Sequence, residues 1–189
     1  MSKPYLVLPL ALTALLFAVP QPARADVLLT PFLGVTFGGD AASQQVSYGF
    51  SAAALAHGMF GLEFDAALTP NFFNSDSSAL QDGNVSTVMA NLMLAAAPSG
   101  APLRPYVSGG AGILHAKATS VGNVFELNDN SFGVNAGAGA MGFLSHNVGV
   151  RGDIRYFRSL QDADAGDGID LSFGKLTFWR ASLGVTFKF

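Results

Sequence analysis

The stretch Ser182-Leu-Gly-Val-Thr-Phe-Lys-Phe189, SLGVTFKF, decides the fold. Read back in steps of two from Phe189, and extended to Trp179, one parity is Phe189, Phe187, Val185, Leu183, Ala181 and Trp179. The other parity is Lys188, Thr186, Gly184, Ser182 and Arg180. One apolar face against one polar or small face, at a period of 2, specifies a β-strand. The pattern runs to the aromatic Phe189 without a polar tail, so the apolar face requires a partner that the rest of the chain must identify.

Residues 1–25 read as a secretory signal peptide. Lys3 is the positive n-region, Tyr5 to Val19 the apolar stretch, and Ala23-Arg24-Ala25 the A-x-A site, with cleavage expected before Asp26. The apolar stretch is shorter than the roughly 20 residues of a membrane helix and contains Pro9. Residues 26–189 then form one domain. Removing Lys3 and Arg24 leaves 8 basic against 13 acidic side chains, a net charge near −5 that argues against nucleic-acid binding. There is no cysteine, hence no disulfide framework and no lipidation site after the signal. Half the residues are hydrophobic and 12% are charged, with 22 glycines, yet no segment past residue 25 is long and apolar enough for a membrane helix.

The alternation recurs seven more times. Apolar sets fall at Val27 to Phe37, Val46 to Ala56, Met59 to Thr69, Val85 to Ala96, Ser131 to Phe143 and Val148 to Phe157, with the last strand at about Leu176 to Phe189. A Gly-rich fifth strand spans Pro105 to Ala116, and its faces cannot be assigned from the pattern. Connections alternate in length. His57-Gly58, Pro98 to Pro102 and Ser145 to Asn147 are turns; 38–45, 70–84, 117–130 and 159–172 are longer and acidic. Strands of about ten residues with short turns on one side and long loops on the other specify an all-β, eight-stranded antiparallel up-and-down transmembrane β-barrel. Closure satisfies every backbone N–H and C=O without water, so the apolar face turns to lipid and the small polar face inward. The inward charges Glu63, Asp65, Arg151, Asp153, Arg155, Arg180 and Lys188 are then expected to pair as a lumen network.

The segments RPYVSGGAGI (104–113), FGVNAGAGAMGF (132–143) and SLGVTFKF (182–189) resemble the small eight-stranded outer-membrane barrels grouped around the OmpA membrane domain, OmpX and the opacity proteins. The terminal stretch resembles the signal read by the outer-membrane assembly machinery, with Ser182, Gly184, Phe187 and Phe189 at its matching positions. The resemblance implies export through the periplasm to the outer membrane of a Gram-negative bacterium. It implies contact with membrane lipid, lipopolysaccharide and the assembly machinery, an extracellular ligand, a monomeric state and no cofactor.

Four motifs have plainer readings. Gly137 to Gly142 spells G-x-G-x-x-G, but inside a strand rather than before a helix. Arg151-Gly-Asp153 spells an adhesion tripeptide, but alternation directs both charges into the lumen. Asp162, Asp164, Asp167 and Asp170 lie in one loop, yet Phe173 stands where a helix–loop–helix calcium site needs Glu; the loop reads as solvated, with divalent bridging to lipopolysaccharide the functional alternative. His57 and His146 fall in turns, and His115 near the outer end of strand five lacks the Ser two residues on that lipid-A deacylases carry, so no catalytic or metal residues are expected. Eight strands leave an interior filled by side chains. The expected role is therefore a surface-exposed structural or interaction protein, in envelope integrity, adhesion or host contact. A narrow porin-like channel for small or hydrophobic solutes is the alternative, and a lipid-A-modifying enzyme a third.

Overall fold

A computed structural model describes residues 25–41, 44–72, 80–97, 100–120, 126–160 and 176–189. Residues 1–24, including Ala23 of the expected cleavage site, and the acidic loop 162–170 lie outside them.

Eight strands follow one another around a closed barrel: β1 Ala25–Phe37, β2 Gln45–Ala56, β3 Phe60–Thr69, β4 Leu80–Ala95, β5 Leu103–Ser120, β6 Glu126–Phe143, β7 Val148–Ser159 and β8 Thr177–Lys188. Every neighbouring pair is antiparallel, and β8 closes the ring on β1, from Leu28 opposite Lys188 to Phe37 opposite Trp179. Phe189 exchanges backbone hydrogen bonds with Val27 at 2.9 and 3.4 Å, extending that seam to the chain end. No edge strand is left with unpaired N–H and C=O groups.

The two faces separate as the period of 2 requires. Leu33, Leu62 and Leu183 are 65–68% exposed on the outside, while Thr36, Ser47, Arg155 and Thr186 are fully buried within. Tyr156 and Trp179 pair on the outer wall at 5.1 Å, at the long-loop end, the position of an interfacial aromatic girdle. At the short-turn end, His57 and Gly58 both take positive φ, 52° and 73°, to reverse the chain between β2 and β3.

Strand five acquires its faces here. Leu103, Val107 and Ile113 point out, and Arg104, Tyr106, Ser108, Leu114 and Ala116 point in. Gly110 and Gly112 sit where the neighbouring strand β4 approaches closely: a Cβ at Gly110 would collide with the Ala90 carbonyl and the Asn91 side chain. Strands β5 and β6 also run past their expected ends. Lys117 pairs with Asn128 and Thr119 with Glu126, so strand pairing enters the expected loop 117–130 as far as Ser120 and Glu126; β4 likewise begins at Leu80 rather than Val85. Hydrophobic alternation marks only the length of strand that meets an apolar medium. Beyond it the ladder continues without that alternation, and the period carries no signal.

The outward parity of β8 gives a direct test. Leu183→Lys, near mid-strand on the outer face, is expected to lower unfolding free energy in lipid vesicles by about 2–4 kcal/mol. Leu144→Lys, exposed in the β6–β7 turn, is expected to leave it unchanged; urea titration followed by tryptophan fluorescence reads both.

Candidate functional site

Inward-facing residues from all eight strands build three layers in the lumen. At the long-loop end, Val85, Met89, Leu114, Phe157 and Phe178 form an apolar layer with Phe72 and Leu176. Phe157 and Phe178 stack at 4.8 Å, and Phe72 meets Phe178 edge-on at 5.1 Å. At the short-turn end, Leu28, Leu55, Met93, Tyr106 and Met141 form a second apolar layer. Met89, Leu114, Phe157 and Phe178 of the first, and Leu28, Leu55, Met93 and Met141 of the second, are each at most 2% exposed.

Between the apolar layers lies an ionic layer. Glu63 of β3 receives Arg151 and Arg155 of β7, the latter at 2.9 Å, and accepts a hydrogen bond from the Asn91 side-chain amide at 3.2 Å. Asn135 donates in turn to Asn91 Oδ1 at 2.8 Å. Arg180 Nη2 donates to both oxygens of Asp65 at 2.7 and 2.9 Å, with Arg155 Nη1 at 3.8 Å from the same carboxylate. Asp153 accepts from Arg155 Nε at 3.2 Å, Ser182 Oγ at 3.1 Å and the Tyr106 hydroxyl at 2.9 Å. That hydroxyl itself accepts from Arg151 Nε at 2.7 Å, and Arg151 Nη1 donates to Ser51 Oγ at 3.0 Å. Aromatic rings also cover faces of two guanidinium groups: Tyr106 lies over Arg151 at 4.7 Å, and Phe32 and Phe157 over Arg180 at 4.8 and 4.9 Å. Three arginines meet three carboxylates, so the layer is neutral. Mutual pairing is what makes six buried charges tolerable.

The lumen therefore brings together Glu63, Asp65, Arg151, Asp153, Arg155 and Arg180, and leaves Lys188 apart. Alternation gives the face of a residue and not its height. Lys188 stands eight residues beyond Arg180, roughly 27 Å along the strand at about 3.4 Å per residue. Its ammonium lies 5.5 Å from the Phe143 ring centre at the short-turn mouth. Arg104, fully buried and 2.6 Å from Asp26, also belongs to that mouth. Neither Arg104 nor Asp26 was expected in a charge pair, because strand five had no assigned face and Asp26 adjoins the cleavage site. Asn91 and Asn135, neutral members of the ionic layer, carry no sequence signal beyond inward parity, and Tyr106, on the unassigned strand five, carries none.

The remaining motifs fall as follows. Arg151 and Asp153 of the adhesion tripeptide both point into the lumen. The glycine motif 137–142 lies within β6. His115 Nδ1 is 2.6 Å from Asn130 Oδ1 on the outward parity of β5, and His57 and His146 lie in short turns at the other end. Among the described residues no cluster of three or more His, Cys, Asp or Glu side chains could hold a metal ion. In β8, Ser182 bonds Asp153, Gly184 packs against the Pro31 carbonyl, and Phe187 and Phe189 face outward.

The family described as "Outer membrane protein beta-barrel domain" matches residues 10–189, so the chain belongs to it. No curated protein matches the sequence. Among solved structures, the N-terminal β-barrel domain of Pseudomonas aeruginosa OprF is similar at TM-score 0.60 and 20% identity, over 88% of this chain and all of that one. Neisserial surface protein A is similar at 0.63 and 16%, over 87% and 97%. Ail of Yersinia pestis, solved with the heparin analogue sucrose octasulfate, is similar at 0.55 and 16%, over 87% and 98%. At such identities the likeness is one of fold. The chain is a β-barrel of the Gram-negative outer membrane, which makes the short-turn end periplasmic and the long-loop end extracellular.

Charge balance in the ionic layer is testable by a double-mutant cycle. Asp65→Asn strands Arg180 and is expected to cost about 3–5 kcal/mol. Adding Arg180→Met is expected to restore most of that loss, read as urea midpoints in vesicles.

Proposed function

We propose that this barrel is a surface-exposed structural and interaction protein, a sealed anchor that acts through its extracellular connections. The observation that carries the reading is the lumen. Apolar layers close both sides of a neutral ionic layer, and a hydrated ion crossing them would lose its water without gaining partners. That packing disfavours the narrow-channel alternative. The reading assigns Ser182, Gly184, Phe187 and Phe189 to recognition by the assembly machinery and treats the barrel as a monomer without a cofactor.

The chemistry of the outer end narrows the partner. Segments 38–44, 70–84, 117–130 and 160–176 hold nine of the chain's 13 acidic residues, and only Lys117 and Lys175 among its basic ones. Such a surface repels sulfated sugars of the kind bound to Ail and favours a cationic partner, or lipopolysaccharide bridged by divalent cations.

Complementation separates anchor from channel. In cells where loss of the protein weakens the envelope or adherence, replacing 161–175 by a Gly-Ser linker is expected to abolish rescue while the heat-modifiable folded band persists. The charge-neutral pair Asp65→Asn with Arg180→Met is expected to rescue fully. The reverse pattern would transfer function to the lumen and overturn the reading.

A further inference from the structure

A second group of cations, apart from the central ionic layer, stands at the periplasmic mouth. There a cavity of about 270 Å³ is lined by Pro102, Arg104, Phe143, Ser145, His146 and Lys188. Its one carboxylate with an ion pair among the described residues is Asp26, which takes Arg104 Nη1 at 2.6 Å. Nε and Nη2 of the same guanidinium are buried without a hydrogen-bond partner. Those two nitrogens form the side edge of the guanidinium, the fork that grips two oxygens of one oxyanion. The Lys188 ammonium makes a ring contact with Phe143, whose ring also lies 4.6 Å from Arg104. Two cations thus face one ring, close enough that an anion between them would be favoured.

We propose that the periplasmic mouth is a binding site for a phosphate group, gripped by the free edge of Arg104 and by Lys188. Phosphate fits better than carboxylate because the donors come from several walls. β5 supplies Arg104, β8 supplies Lys188, and the β6–β7 turn supplies the Ser145 hydroxyl and the His146 imidazole. Once the Arg104 fork holds its two oxygens, a planar carboxylate keeps only in-plane lone pairs, whereas a tetrahedral phosphate directs further oxygens toward the other walls. The mouth opens toward the periplasm, so the phosphate can belong to a soluble compound or to a phospholipid headgroup of the inner leaflet.

The test uses the folded protein in dodecyl maltoside, which carries no phosphate, with labelled arginine side chains followed by NMR. Inorganic phosphate is titrated at constant ionic strength, with chloride as control, and dihexanoyl phosphatidylglycerol is titrated in parallel. The expected result is a saturable shift of the Arg104 Nε–H resonance that leaves Arg151, Arg155 and Arg180 in place. Lys188→Gln should weaken it about tenfold. A shift with both probes, or tighter with the lipid, assigns the headgroup; a shift with inorganic phosphate alone assigns a soluble compound. No saturable shift with either, an equal shift of Arg151, Arg155 and Arg180, or unchanged affinity in Lys188→Gln overturns the site. Should Lys188→Gln lose the heat-modifiable band, Lys188→Arg replaces it and must retain binding.

Discussion

Everything in this molecule depends on the seam between β1 and β8. In a hydrocarbon medium an open sheet would leave a row of backbone donors and acceptors without water, each unsatisfied group costing several kcal/mol. Pairing Leu28 through Phe37 with Trp179 through Lys188 removes both edges at once. Once the ring is closed, the period of 2 has only one outcome. Val185, Leu183 and their counterparts on seven other strands face lipid, and Gly, Ser, Thr and the charged residues face each other across a narrow interior.

That narrowness dictates what fills the interior. Eight strands leave room for side chains and little else, so arginines cannot reach bulk water and must find carboxylates. Glu63 and Asp65 on β3 stand across the lumen from Arg151 and Arg155 on β7 and Arg180 on β8. Tyr106 and Ser182 fill the lone pairs of Asp153 that the arginines leave. Apolar layers above and below then keep this polar layer dry, which strengthens its ion pairs while making any single missing partner expensive. The lumen reads as a stabilising core turned inside out, and the variable chemistry is left to the ends.

Much of the architecture was legible in the residues. β8, β3 and β7 announce themselves through strict alternation, and that parity put six of the seven expected charges into one network. The illegible parts share a physical cause. Parity sets direction but not depth, so Lys188 looked like a member of a network that it misses by most of a strand. Glycine carries no hydrophobic signal, so strand five had no face, and Arg104 and Tyr106 on it went unassigned. Polar strand ends above the membrane look like loops, which hid the outer reaches of β4, β5 and β6. The acidic segment 162–170 says in its sequence only that it is charged.

The most direct measurement is single-channel conductance of the folded protein in a planar bilayer, after a heat-modifiable gel band has certified the barrel. Apolar layers on both sides of a balanced ionic layer give a silent membrane at all applied voltages. Discrete, reproducible conductance steps would mean that the layers open, and that the lumen, rather than the surface, is where this protein works.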